Sequence, residues 1–120
     1  MLSTLYLVLT YNEFYKVHIE REKFLVNLLL EHIKCLYQKL SQDNRLHSTH
    51  VSLYLCLLIM WEQNSFSNPL LVTRKELMKI SKIGSNATYH KCIRQLEEFG
   101  YIKYTPRYNS FIGSSVYILR

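Results

Sequence analysis

The chain reads as a mainly helical α+β protein that closes on a small β-hairpin, with an N-terminal helical extension in front. Three observations carry that expectation. Residues 81–104 run S-K-I-G-S-N-A-T-Y-H-K-C-I-R-Q-L-E-E-F-G-Y-I-K-Y: a tight turn, a capped helix, a glycine stop and a strand. Gly100 stands where a left-handed residue ends a helix. Before it lie two long apolar stretches at helical spacing, and after it a second strand completes a hairpin.

The elements follow in order. Residues 1–12 have no clear period and suit a helical turn, a strand against a partner or a loose end. A helix is predicted over 20–40, where Val26, Leu29, Ile33, Leu36 and Leu40 repeat at spacings of three and four. That seam serves either dimerisation or packing within one chain. The polar S-Q-D-N-R-L-H-S-T-H breaks the helix. A second helix is predicted over 49–63, capped by Ser48 or Thr49 and apolar on nearly every side, so a central core helix enclosed by its neighbours is expected. N-S-F-S-N-P turns the chain into a short strand at 70–72.

Thr73 opens T-R-K-E, a capping-box pattern, for a helix to about 81 with Leu77, Met78 and Ile80 inward. Residues 82–84 turn, and Ser85 caps a helix to 99. Tyr89, Cys92, Ile93, Leu96 and Phe99 make its buried face. Strands at 101–105 and 115–119 flank the loop P-R-Y-N-S-F-I-G-S.

Charge divides the 120 residues unevenly. Residues 1–64 carry six Lys+Arg and six Asp+Glu, whereas residues 65–120 carry nine against three, the whole net charge of +6. A basic half joined to a neutral half is the electrostatic footprint of a nucleic-acid partner. Cys35, Cys56 and Cys92 are scattered and suit small apolar residues in a reducing compartment. Neither a secretion signal nor a membrane span is legible, which predicts a cytoplasmic protein with no membrane partner.

The order helix, strand, helix, turn, helix, strand, loop, strand is that of a winged helix-turn-helix, over 48–120, with 1–47 as extension. In that topology the amino-terminal part of the second helix meets base edges. The base-reading candidates are Asn86, Ala87, His90, Lys91 and Arg94: Asn pairs with adenine, Arg or Lys with guanine, and Ala87 permits close approach. Phosphate contacts fall to Thr73, Arg74, Lys82 and Ser85, and in the loop to Arg107, Tyr108, Asn109 and Ser110. The pairs His47/His50 and His32/Cys35 lack further ligands for a zinc site. Without phosphate loop or catalytic signature, neither a cofactor nor an enzymatic activity is expected.

The phrases H-V-S-L-Y-L, V-T-R-K-E-L-M-K-I-S-K-I and A-T-Y-H-K-C-I-R-Q-L-E-E-F-G-Y-I-K-Y, with the loop P-R-Y-N-S-F-I-G-S, resemble the winged helix-turn-helix transcriptional regulators. The likeness is to small regulators on mobile elements of Bacteroides-type bacteria, and it spans about residues 50–119. It implies double-stranded DNA as partner, a homodimer and control of neighbouring genes. An accessory role in replication or excision of a mobile element shares the fold, and a module that contacts only proteins is the alternative of another class. Target sequence, direction of regulation and effector are not legible.

Overall fold

A computed structural model describes residues 2–107 and 113–119. Among them it is mainly helical, with four helices and one small antiparallel sheet. Contacts divide the chain into residues 1–42 and 43–120, five residues before the expected division at 47.

The first unit is one helix, α1 (Leu2–Gln42), of 41 residues. It exceeds the predicted span of 20–40 because nothing stops it: no glycine or proline precedes Pro69. Lys39 lies in its last turn, where a cation complements the helix dipole. Of the five seam residues, Val26, Leu29 and Ile33 are exposed at 54%, 60% and 52%, Leu36 is half-buried and Leu40 is buried.

The second unit holds α2 (Ser48–Gln63), β1 (Leu70–Val72), α3 (Arg74–Ser81), α4 (Asn86–Glu98), β2 (Ile102–Thr105) and β3 (Ser114–Ile118). Strand order is β1-β3-β2, so the hairpin gains β1 as a third strand. Leu70 faces Val116, and Ile102 faces Ile118. Asn68 extends the ladder with its side chain: its Oδ1 accepts from the Ile118 N–H at 3.0 Å and its Nδ2 donates to the Ile118 carbonyl at 3.2 Å. Gly113 (φ 78°) passes so close to β1 that a Cβ there would lie 2.7 Å from the Val72 carbonyl oxygen, so any other residue is strained at this site.

The core sits where α2, α3 and α4 pack on one another and on the sheet. Leu53, Leu57, Leu77, Tyr89, Ile93, Leu96, Ile102 and Val116 are all at or below 1% exposure. Four expectations need correction. The cap of α2 is His47, not Ser48 or Thr49. His50 decides this, because its Nδ1 accepts from the His47 backbone N–H at 2.9 Å. Helix α2 is not enclosed all round: Leu55 and Ile59 are exposed, since α3, α4 and the sheet cover only its other side. In α3, Ile80 is exposed at 52% and Met78 half-buried, whereas Ser81 turns inward one turn beyond Leu77. Its hydroxyl donates to the Leu77 carbonyl, which satisfies it there. Phe99 is half-buried at the end of α4, with the Arg45 guanidinium 4.5 Å over its ring.

Candidate nucleic-acid interface

Two N-caps and one turn position the candidate residues. Thr73 accepts from the Glu76 N–H at 3.3 Å and starts α3; Ser85 accepts from the Thr88 N–H at 3.3 Å and starts α4. Between the helices Lys82, not Gly84, takes the left-handed conformation (φ 66°). The Ile83 N–H closes the turn on the Met78 carbonyl at 3.1 Å, and the Ile83 side chain is buried at 5% exposure. This anchor holds α3 and α4 at a fixed turn, which the local phrase K-I-G does not reveal because the burial of Ile83 depends on the distant core.

The far end of α4 stops on a full Schellman motif. Gly100 (φ 86°) donates to the Glu97 carbonyl at 3.0 Å, and Tyr101 donates to the Leu96 carbonyl at 3.0 Å. The Glu97 carboxylate accepts from the Tyr104 N–H at 2.5 Å, which ties the acidic end of α4 to β2 and away from its amino-terminal half. With Tyr89, Cys92, Ile93 and Leu96 inward, Asn86, Ala87, His90, Lys91 and Arg94 are all exposed. Arg94 Nε donates to the His90 carbonyl at 3.3 Å, so its guanidinium lies along the exposed face.

Beside this face opens a cavity of about 580 Å³, bounded by the start of α3, the amino-terminal half of α4 and the base of the β2–β3 hairpin. Val72, Tyr89, Tyr104 and Pro106 are among its lining residues, with the cations Arg74, Lys75 and Arg107 and, from α4, His90. Among the described residues no carboxylate lines it. Burial pushes the Tyr89 hydroxyl above its ordinary value, and Tyr104 beside it adds to the shift while Arg74 opposes it. Ser114 pins the hairpin base, accepting from the Tyr104 hydroxyl and from the Arg107 N–H, each at 3.2 Å.

The cavity brings together Thr73, Arg74, His90 and Arg107 from the predicted set. Asn86, Ala87, Lys91 and Arg94 lie outside it on the exposed face of α4, and Lys82 and Ser85 lie at the turn. Tyr108, Asn109 and Ser110 fall outside the described residues. Lys75, Tyr104 and Ser114 were missed. A period-two reading of the hairpin would have flagged Tyr104, which pairs with Val116 in the sheet.

The paired His47 and His50 fix the start of α2. His50 is 1% exposed. With Nδ1 accepting, its protonated nitrogen is Nε2, which donates to Gln95 Oε1 at 2.7 Å. Among the described residues no group of three or more His, Cys, Asp or Glu is arranged to hold a metal ion. None of the described helices is long and apolar enough to cross a membrane.

Set beside known proteins, the chain matches no family model, no curated protein and no solved structure. The reading of this surface therefore stands on its geometry and charge.

Proposed function

We propose that this chain is a sequence-specific reader of double-stranded DNA, a winged helix-turn-helix regulator of transcription that acts as a homodimer in the cytoplasm. One observation carries the reading: α4 presents an exposed face of Asn86, Ala87, His90, Lys91 and Arg94 next to a groove lined by cations and, among the described residues, by no carboxylate. In this reading the first two or three turns of α4 enter the major groove, where Asn, Lys and Arg match the donor and acceptor patterns of base edges. Arg74, Lys75 and Arg107 meet the phosphates of the flanking strand, and the hairpin acts as the wing. Glu97 and Glu98, at the other end of α4, keep that end off the phosphates.

The test is binding of the purified chain to random-sequence duplexes over a salt series, with sequencing of the bound pool. Affinity that falls steeply with salt and an enriched inverted repeat are expected. Salt-sensitive binding without a motif indicates the accessory role in replication or excision. Absence of binding at low salt overturns the DNA reading and leaves a module for protein contact.

A further inference from the structure

The dimer of this reading leaves open how two copies meet, and α1 carries an answer. A seven-residue repeat runs along it from Val8 to Leu36, apolar or aromatic at seven of its nine core positions. Asn12, Ile19, Val26 and Ile33 occupy one core position (a), and Val8, Tyr15, Glu22, Leu29 and Leu36 the other (d). An apolar heptad sustained over several turns winds helices left-handedly about one another. From these residues we infer that α1 pairs with α1 of a second copy in a parallel, in-register, two-stranded coiled coil; the inference rests on the proposed dimer and not on DNA contact.

Four features favour a second copy as the partner, and the first of them favours this orientation. Branched Ile19, Val26 and Ile33 at a, with Leu29 and Leu36 at d, form the pattern that favours two parallel strands. Val8, Tyr15, Val26, Leu29 and Ile33 are exposed at 53%, 55%, 54%, 60% and 52% within one chain. Covering them, with Leu25 and Leu30 at the rim, removes area on the order of the ~800 Å² per partner of a standard interface. Residues 2–42 carry five Lys+Arg and four Asp+Glu, so two copies approach with almost no net repulsion.

Asn12 supplies the register. A single amide at an a position is satisfied when it meets the same amide across the axis, donor to acceptor. An antiparallel pairing sets it against apolar residues from the other end of the helix. Glu22 is the one acidic d residue, and His18 Nε2 lies 3.2 Å from its carboxylate, toward the rim. The arrangement has a functional consequence. A parallel pair brings the two Gln42 ends side by side, whereas an antiparallel pair parts them by roughly 60 Å, at about 1.5 Å per residue. Only the former leaves two DNA-binding units at neighbouring points of attachment, suited to half-sites about 34 Å apart.

Disulfide trapping of the full chain without DNA tests it. Cys35 is exposed and is first replaced (Cys35→Ser), while Cys56 and Cys92 are buried. Tyr15→Cys and Val26→Cys are then made separately, checked for native circular dichroism, and oxidised alone and as a co-expressed mixture. The expected result is a self-linked dimer from each variant and no crossed 15–26 link. Crossed links without self-linked species overturn the parallel arrangement while the dimer stands. Sedimentation of the unaltered chain as a monomer overturns the dimer itself, and a trimer or tetramer overturns the two-stranded coil. Asn12→Val is expected to yield mixed oligomers; a uniform dimer that still self-links only in register overturns the role of Asn12. Loss of DNA binding leaves every one of these readouts unchanged.

Discussion

The two units of this chain are both rich in large apolar residues, yet they treat them in opposite ways. In residues 43–120, three helices and a sheet surround Leu53, Leu57, Leu77 and Leu96 until none has measurable exposure. In residues 1–42 a single helix leaves Leu29 exposed at 60% and Phe14 at 71%. Apolar periodicity makes a face, but only a second surface buries it. Stability in the second unit is therefore internal, whereas that of α1 depends on what covers it.

The sharpest way to break this contrast is a matched truncation. Leu96→Ala is expected to destabilise the second unit by about 2–5 kcal/mol. Leu29→Ala should move it by less than ~0.5 kcal/mol, as exposed positions do, and weaken the dimer instead. Urea unfolding followed by the fluorescence of Trp61, the chain's one tryptophan, reads the second unit alone. Equal losses from the two variants would sink the distinction.

Gly113→Ala sharpens the comparison within the second unit, because β1 and the hairpin meet there backbone to backbone. A cost of about 1–3 kcal/mol is expected from the left-handed conformation and the Val72 contact. An unchanged midpoint in the same urea titration would show that the approach is not as close as the geometry requires.

Arg94→Ala separates function from stability on α4. It should weaken binding to a selected DNA sequence by ~1–3 kcal/mol without shifting unfolding, if the residue reads a base. Equal loss on specific and random duplexes in a fluorescence-anisotropy titration rejects that role. Lys82→Gly pulls the two properties in opposite directions. Removing a side chain from the left-handed turn should raise stability by about 1 kcal/mol. Loss of the cation should at the same time weaken DNA binding uniformly across sequences and lessen its salt dependence.

The smallest effect is a pH dependence confined to the second unit. Asp43 accepts from Arg45 Nε and Nη2, both at 2.8 Å, and from the Tyr101 hydroxyl at 2.7 Å. The Arg45 hydrogen bonds first, then Tyr101, hold its carboxyl well below the usual carboxylate range. A depressed folded value means stability present above about pH 4, the ordinary aspartate value, and lost as pH falls below it. Burial, then donation to Asp43, pushes Tyr101 up to about 12, so its contribution is present below about pH 10 and lost as pH rises toward 12. Asp43→Asn should flatten the acid limb of a melting-temperature profile between about pH 4 and 2. A profile identical to that of the parent chain would show that this cluster does not couple to folding.

Local chemistry was legible from residue order alone. Thr73 and Ser85 as caps, Gly100 as helix stop and the inward face Tyr89, Cys92, Ile93 and Leu96 follow from hydrogen-bonding groups and periods that span only a few residues. The exposed set on α4 follows from the same period, because what is opposite the buried face of a surface helix is solvated.

Long-range placement was not legible, because it depends on which surfaces meet. Ile80 and Ser81 are neighbours in sequence, and only the packing of α3 on α2 turns the serine in and the isoleucine out. The cap at His47 depends on a buried ring that Gln95, 45 residues away from His50, holds in one tautomer. The cation-lined groove draws on Arg74, His90 and Arg107, which no local pattern brings together. The same holds for the need for glycine at 113, which arises from a strand 41 residues earlier passing within contact of its backbone. Short-range energies are written residue by residue, whereas contacts between distant segments form only when the whole core closes around them.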